Sequence, residues 1–351
     1  MVGYKRAMSE LLRECWYVAS PASALKKGAM LPVTLLGEQV LLARGDDGVA
    51  FALRDFCPHR GMPLRYGKFD GKEIECCYHG WCFNAVGQCT KVPSLAEEGR
   101  EKQTDITKIK TRAYPLREVD GLLWVYLGDS TTPDAPPAMP VSIAGGLEIV
   151  ESVTFPCHID HAVIGLMDPS HGPYVHKSWW WRTQKSMHVK EKKFAPRPFG
   201  FSMVSHKPSS NSRAYKILGG ERTTEIAFRL PGLRTEHIQI GRKNVLLLTA
   251  LTPVDATTTV LHQFMATDIR FLKLLKPLLI PFGKAFIEQD RRVVIRQQEG
   301  LRNNDTPLML LGDADAQALW YFRLKKEWLA AQADARAFEN PLKERTLRWR
   351  S

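Results

Sequence analysis

Short, mostly apolar runs recur along the first third of the chain. Examples are 33–36, 39–43 and 122–126, and turn-forming stretches such as GDDG at 45–48 separate such runs. Apolar runs of four to eight residues bounded by turn-forming residues are typical of β-strands, and Gly and Asp between runs favour tight turns. The pattern therefore predicts that residues 16 to about 126 form an all-β domain.

The pattern changes after residues 129–140, whose sequence DSTTPDAPPAMP is rich in Pro, Ser and Thr. Such a composition is typical of a linker between domains. Four regular segments follow it, two strand-like and two helical, at 148–154, 244–252, about 283–302 and about 314–338. We therefore expect an all-β domain at 1–130 and an α+β domain at 141–351, in an α+β protein overall.

No apolar run approaches the roughly 20 residues that a membrane-spanning helix needs. The longest candidate, 271–282, is interrupted by Lys273, Lys276, Pro277 and Pro281. The N-terminal residues contain no continuous apolar core of the kind that a secretory signal carries. We therefore expect a cytoplasmic protein.

The chain has a formal net charge of +12 and a pI of about 9.4. Its Lys and Arg are scattered, and no nucleic-acid-binding module is present, so we expect no nucleic-acid partner. Three interpretations remain: a solvated basic surface, an acidic protein partner such as a ferredoxin, or contact with an anionic membrane surface. The basic and apolar segment 270–284 is the candidate for peripheral membrane contact.

Two Cys and two His lie in mixed pairs, as Cys57-x-His59 and, after 16 intervening residues, Cys76-x-x-His79. Four of the seven cysteines fall between residues 76 and 89, and such crowding in a chain without an export signal indicates metal or redox chemistry. Zinc also accepts two Cys and two His, but zinc fingers place a Cys pair before a His pair. The mixed pairs instead predict a [2Fe–2S] cluster in which two imidazoles replace two thiolates on one iron.

A second constellation occupies residues 165–176 (GLMDPSHGPYVH), with the spacing Asp168-x-x-His171-x4-His176. If Asp168 begins a helical turn, His171 lies on the same face three residues later. His176 lies off that face on an ideal helix, and the Gly-Pro pair at 172–173 can turn it inward. Two ordinary histidines near a helix end are the alternative.

The predicted helix at 283–302 carries a carboxylate, Asp290, in the middle of its apolar face. That face consists of Phe286, Ile287, Val293 and Val294. A carboxylate among apolar residues is costly unless a cation pairs with it. An arginine can serve as that cation, but two histidines and one carboxylate also form the ligand set of non-haem Fe(2+) sites.

The Cys–His stretch resembles the Rieske domain of ring-hydroxylating and related non-haem iron oxygenases. The similarity extends to Arg60-Gly61 after the first pair and to the YHGW sequence at 78–81 around the second. Cys77 stands where the family usually has Pro, which creates a competing pair with His79. The family's C-x-x-H spacing favours Cys76, and we interpret Cys77, Cys82 and Cys89 as non-ligands.

Residues 165–176 and the helix around Asp290 resemble the catalytic domain of the same oxygenases. The resemblance implies a helix-grip (START-like) domain in which His171, His176 and Asp290 bind Fe(2+). It also implies that Asp168 links this iron to a Rieske His of a neighbouring subunit in a homotrimer. Gly165 stands where many members have Asn, and we interpret His158 and His161 as structural.

The resemblance implies the oxygenase (alpha) subunit of a mono- or dioxygenase. It would use O₂ and cluster-delivered electrons to hydroxylate or demethylate an apolar aromatic or alicyclic substrate. An electron-transfer or redox-sensing protein is the alternative, and it would not need the second constellation. No GxGxxG or GxxxxGK[ST] motif is present, so we expect a separate NAD(P)H-dependent reductase, with or without a ferredoxin. The KSWWWR run at 177–182 can line a substrate pocket or pack elsewhere.

Overall fold

The computed structural model describes residues 10–95, 105–176, 184–208, 221–304 and 308–351. They divide into two compact units, Arg13–Ala138 (the N-terminal unit) and Met139–Ser351 with residues 10–12 (the C-terminal unit). The division falls within the linker predicted at 129–140. Residues 10–12 belong with the C-terminal unit, where the Glu10 charge acts on Lys325.

The N-terminal unit is all-β, as predicted. Its described residues form eleven short strands, β1–β11: Cys15–Pro21, Met30–Leu35, Glu38–Arg44, Ala50–Arg54, Lys68–Phe69, Ile74–Glu75, Cys82–Phe83, Cys89–Lys91, Ala113–Tyr114, Leu116–Val119 and Leu122–Leu127. They make three antiparallel sheets, in the orders β1-β11-β10, β2-β3-β4-β9 and β5-β6-β7-β8. Short 3₁₀ turns occur at Ala22–Ala24, Leu64–Tyr66 and Ile106–Lys108.

One hydrophobic cluster of this unit supports the Cys–His stretch. It contains fully buried Leu41, Leu53, Leu64, Ile74 and Phe83 together with the two predicted ligand cysteines. The aliphatic residues come from strands β3, β4 and β6 and from the 3₁₀ turn at Leu64–Tyr66. Close packing of this kind restricts the backbone, so the segments that carry the cysteines are held on a rigid base.

The C-terminal unit contains one eight-stranded antiparallel sheet, in the order β12-β18-β17-β16-β15-β14-β13-β19. Its strands β12–β19 are Glu148–Phe155, Val189–Arg197, Gly200–His206, Arg222–Arg229, Leu233–Ile240, Lys243–Pro253, Thr259–Thr267 and Arg345–Arg350. Its helices α1–α4 are Ile159–Met167, Gly172–Val175, Arg270–Arg302 and Ala316–Ala333, and a 3₁₀ turn spans Gln184–Ser186. A large sheet with C-terminal helices confirms the predicted α+β class.

Helix α3 differs from its prediction at its N-terminal end. It begins at Arg270 rather than near residue 283, and it continues through Pro277 and Pro281. Both prolines are exposed, so water can satisfy the backbone carbonyl that each leaves without a donor. The predicted apolar face is also narrower than expected, because Ile287 and Val294 are buried whereas Val293 is 44% exposed.

Candidate metal centres

The first half of the Cys–His stretch forms a tight hairpin loop. The Cys57 N–H donates to the Met62 carbonyl at 2.8 Å, and the Gly61 N–H donates back to the Cys57 carbonyl at 2.9 Å. Gly61 has a φ of 75°, in the left-handed region where a Cβ is strained. The loop from Cys57 to Met62 therefore closes on itself, and it contains His59.

The second half repeats this loop with the same two backbone bonds. The Cys76 N–H donates to the Trp81 carbonyl at 2.8 Å, and the Gly80 N–H donates to the Cys76 carbonyl at 3.0 Å. Gly80 has a φ of 69° and plays the part of the glycine in the first loop. Each loop thus presents one thiol and one imidazole.

The two loops bring their four polar side chains together. The ring centroids of His59 and His79 lie 4.5 Å apart, and the Nδ1 atom of each is buried without a hydrogen-bond partner among the described residues. Burial raises the pKa of the Cys57 thiol to about 11, and the adjacent Cys76 side chain adds to the rise. Two thiols and two unpaired imidazole nitrogens fit a [2Fe–2S] cluster with mixed ligands, since binding iron would deprotonate the thiols.

Burial distinguishes the two adjacent cysteines, Cys76 and Cys77, that compete as the second thiol ligand. Cys76 is 2% exposed and lies beside Cys57, whereas Cys77 is exposed. The buried thiols of Cys82 and Cys89 each contact a backbone carbonyl at 3.5 Å, those of Gly80 and Lys91 respectively. Burial beside Cys57 therefore favours Cys76 over Cys77, and the non-ligand roles of Cys77, Cys82 and Cys89 stay a prediction.

In the C-terminal unit, three side chains from two parts of the chain converge. The Nε2 atoms of His171 and His176 lie 3.2 Å apart. Asp290 Oδ1 lies 3.2 Å from Nε2 of His176 and 3.6 Å from Nε2 of His171. Within the described residues, these three form the one group of at least three His, Cys, Asp or Glu side chains whose ligand atoms all lie within 4.8 Å of one another.

These distances suit a single metal ion. An ion about 2.1 Å from each ligand keeps ligand atoms about 3.0 Å apart at right angles and about 3.4 Å apart at tetrahedral angles. The observed 3.2–3.6 Å separations are close to this range, and the ligand set is the 2-His-1-carboxylate set of non-haem Fe(2+) sites. The residues present therefore fit the predicted metal.

Asp168 ends a helix rather than beginning one, contrary to the prediction. It is the C-cap residue of α1, and its Oδ1 accepts a hydrogen bond from the Ser170 N–H at 2.7 Å. Its Oδ2 lies 3.5 Å from His171 Nδ1. Burial alone would lower the pKa of His171, but the carboxylates of Asp168 and Asp290 outweigh it and raise that pKa. The site is therefore electrically suited to a cation.

Comparison with known proteins gives two family matches. Residues 15–115 match the Rieske [2Fe-2S] domain, and residues 156–331, half of the chain, match the vanillate O-demethylase oxygenase C-terminal domain. This chain belongs to the Rieske oxygenase family. The assignment confirms the two predicted cofactors, a [2Fe–2S] cluster and a mononuclear Fe(2+).

Several curated Rieske oxygenases resemble part of the chain. The 5,5'-dehydrodivanillate O-demethylase oxygenase subunit of Sphingobium sp. is 33% identical over 181 residues, 51% of this chain and 42% of that protein. Chlorophyllide a oxygenase of Chlamydomonas reinhardtii is 33% identical over 173 residues, 49% and 25% of the two chains. The 4beta-methylsterol monooxygenase of Methylococcus capsulatus is 32% identical over 166 residues, 46% and 44%. The match thus spans less than half of each relative's length.

Two solved structures share the fold along almost the whole chain. Dicamba monooxygenase bound to dicamba superimposes with a TM-score of 0.71 at 22% identity, covering 92% of this chain and 99% of that one. NdmA of Pseudomonas putida CBB5 with caffeine gives 0.72 at 20% identity, covering 93% and 94%. The Rieske oxygenase fold therefore extends over both units.

Sequence reasoning missed two residues that hold His176 in this Rieske oxygenase. Gln289 Oε1 lies 2.9 Å from His176 Nδ1, and the Phe286 ring stacks on the imidazole with centroids 3.6 Å apart. A proton on Nδ1 leaves the Nε2 lone pair free for a metal. In the sequence, Gln289 was marked only by its position beside Asp290. Its partner His176 lies 113 residues earlier, so the contact between them could not be inferred.

A buried ion pair joins α1 to α4. Lys325 Nζ donates to both carboxylate oxygens of Asp160 at 2.8 Å, and the Tyr321 hydroxyl donates to Oδ1 at 2.5 Å. His158 Nδ1 accepts from the Asp160 N–H at 3.2 Å and so caps α1, which agrees with the structural role expected for it. Burial lowers the pKa of His161. The KSWWWR run lies outside the described residues.

Proposed function

We propose that the chain is the terminal oxygenase component of a Rieske oxygenase system. Electrons enter one at a time through the N-terminal unit and are used with O₂ in the C-terminal unit to oxidise an organic substrate. The observation that carries this proposal is the convergence of His171, His176 and Asp290 in a chain that also presents two Cys–His loops. An electron carrier would need the two Cys–His loops but not the site formed by His171, His176 and Asp290.

We propose Cys57, His59, Cys76 and His79 as the cluster ligands and His171, His176 and Asp290 as the iron ligands. When bound, Fe(2+) supplies coordination positions for O₂ beside the substrate. The protein holds its three ligand atoms within 3.6 Å of one another, as one face of a single metal ion would require. Asp290 contributes a negative charge, which favours the binding of a divalent cation between the two histidines.

Asp168 is proposed as a positioning residue and as the route between subunits. One of its oxygens closes the turn after α1, and the other faces His171 Nδ1. A third of the Asp168 side chain stays exposed, which leaves lone pairs for a donor from another subunit. In the proposed homotrimer, that donor is a cluster-ligand histidine of the neighbouring Rieske domain.

The proposed substrate is an apolar aromatic or alicyclic compound that is hydroxylated or oxidatively demethylated. Relatives whose names mention dehydrodivanillate, chlorophyllide a and a 4β-methylsterol support this class. Reducing power comes from a separate NAD(P)H-dependent reductase, with or without a ferredoxin, because the chain carries no dinucleotide fingerprint. NADH oxidation by the purified chain alone would contradict this part.

Iron analysis combined with turnover tests the proposal. The wild-type chain should bind about three irons, and Asp290→Ala should retain about two and lose oxygenation. Glu299→Ala, an exposed carboxylate on the same helix, is the matched control and should keep all three. Coupled to a reductase, wild type should give O₂-dependent products from a panel of methoxy-aromatic, sterol and polycyclic compounds. About two irons in wild type would favour the electron carrier instead.

The role of Asp168 is tested by Asp168→Asn. This variant keeps the size of the side chain and all three proposed iron ligands, so both metal sites should stay loaded. Single-turnover experiments should show a reduced cluster that no longer passes its electron to the iron, and added Fe(II) should not restore turnover. Loss of the mononuclear iron in this variant would contradict the assignment of His171, His176 and Asp290 as a ligand set independent of Asp168.

A further inference from the structure

Trp81 connects the two Cys–His loops of the N-terminal unit. Its carbonyl oxygen accepts the Cys76 N–H at 2.8 Å, so its backbone belongs to the second loop. Its indole lies flat on the imidazole of His59 in the first loop, with ring centroids 4.4 Å apart and an interplanar angle of 3°. One residue therefore closes one loop and covers the proposed cluster ligand of the other.

The stack restricts the plane of the His59 ring. A histidine ring turns about its bond to Cβ over a broad range of angles, and a parallel ring on one face limits that rotation. The Trp81 side chain is itself held, because it packs against the hydrophobic cluster that contains Cys57 and Cys76. The orientation of His59 is therefore set by contacts that exist within the folded N-terminal unit.

The indole of Trp81 also carries a buried hydrogen-bond donor. Its Nε1 atom has no acceptor among the described residues, and within the two loops Nδ1 of His59 and Nδ1 of His79 share this property. An indole N–H only donates, so it cannot bind a metal as the two imidazoles can. A buried donor without an acceptor is costly, which indicates an acceptor that arrives with the cluster.

We propose that Trp81 is a positioning residue for the [2Fe–2S] cluster, which stacks on His59 and donates its indole N–H to a cluster sulfur. Hydrogen bonds to the sulfurs are among the factors that set the reduction potential of such clusters. Reduction adds a negative charge to the cluster, and a donor stabilises that charge, so this bond should raise the potential. The inference rests on the proposed function, because His59 is a proposed cluster ligand.

Trp81→Phe tests the hydrogen bond, because phenylalanine keeps an aromatic ring on His59 and lacks the donor. The equilibrium should shift roughly tenfold toward the oxidised cluster, which corresponds to about 59 mV for a one-electron couple. A redox titration followed by electron paramagnetic resonance of the reduced cluster measures this potential. Cluster absorbance and iron content check that the variant is folded and loaded.

Trp124→Phe is the matched control for this change. The Trp124 Nε1 atom is also buried without a hydrogen-bond partner among the described residues, but Trp124 lies on β11 and outside the hydrophobic cluster that supports the loops. The control therefore loses the same donor at a position away from the two loops. Its cluster should have the potential of wild type.

Trp81→Leu tests the stack, because leucine removes the flat ring as well as the donor. Its reduced cluster should have the lowered potential and also changed nitrogen couplings in pulsed electron paramagnetic resonance, since these couplings depend on how each imidazole is turned about the iron. Trp81→Phe should keep the wild-type couplings.

The possible failures of these experiments have different meanings. An unchanged potential in Trp81→Phe would overturn the hydrogen bond, and unchanged nitrogen couplings in Trp81→Leu would overturn the positioning of His59. If the reduced wild-type chain lacked the signal of a His-ligated [2Fe–2S] centre, the proposed cluster ligands would be wrong, and this inference with them.

Discussion

Replacing Gln289 by Leu tests how the C-terminal unit holds its proposed iron ligand His176. The Gln289 Oε1 atom lies 2.9 Å from His176 Nδ1, and the imidazole is almost completely buried. A metal on Nε2 requires the imidazole proton to be on Nδ1, where it needs this acceptor. Leu has nearly the volume of Gln and no acceptor, so the substitution removes the bond without opening a large cavity.

The cost of the substitution falls on the metal-bound state. Without metal, the imidazole can carry its proton on Nε2, which faces the Asp290 carboxylate at 3.2 Å. With metal, the Nδ1 proton is buried without an acceptor, which costs about 1–3 kcal/mol. The expected loss of Fe(II) affinity is therefore about 5- to 150-fold.

Anaerobic titration with Fe(II) against a chromophoric chelator gives the affinity of the mononuclear site. The cluster absorbance shows in the same sample that the N-terminal unit is intact. Gln297→Leu, an exposed position on the same helix, is the control and should bind as wild type. Gln289→Glu keeps an acceptor and should bind at least as tightly. If Gln289→Leu stays within about twofold of the control, the hydrogen bond does not orient a metal ligand.

Three further predictions concern other parts of the chain. Lys325→Met leaves the buried Asp160 carboxylate without its cation, so the free energy of unfolding should fall by about 3–5 kcal/mol in urea titrations. The double variant Lys325→Met/Asp160→Asn should recover much of the lost stability. Burial lowers the pKa of His262 to about 4. In the unfolded chain this imidazole is protonated below about pH 6.5, whereas in the folded chain it stays neutral down to about pH 4. The free energy of unfolding should therefore fall by up to about 3 kcal/mol between pH 6.5 and 4, and the fall should be smaller in His262→Gln. Cys76→Ser should abolish the cluster absorbance, whereas Cys77→Ser should leave it unchanged.

The two metal constellations were accessible from the sequence because their ligands are close together along the chain. The Cys–His pairs and the Asp168 to His176 motif each fall within a few residues, so local spacing limits what they can form. Short apolar runs between turn-forming residues likewise indicated the first domain, and the structure confirms strands over those runs. Asp290 is far from the two histidines along the chain, and it was predicted only because it is a carboxylate on an apolar helix face.

Features that depend on distant pairing could not be predicted in this way. The Gln289–His176 and Asp160–Lys325 contacts join residues 113 and 165 positions apart, which no local pattern encodes. The early start of α3 was missed because proline in a sequence usually ends a helix. In the structure, exposure of Pro277 and Pro281 to water removes the main penalty, and only the tertiary fold determines that exposure.

The paired loops around Cys57 and Cys76 also affect the order in which the chain folds and receives its cluster. Each loop is closed by its own backbone hydrogen bonds and rests on a core of Leu, Ile and Phe side chains. The conformational entropy of ordering the ligands is therefore offset when the chain folds, in contrast to zinc fingers, which fold only with their metal. We therefore expect the loops to keep their backbone shape before the cluster is inserted, so that insertion is a late step in maturation.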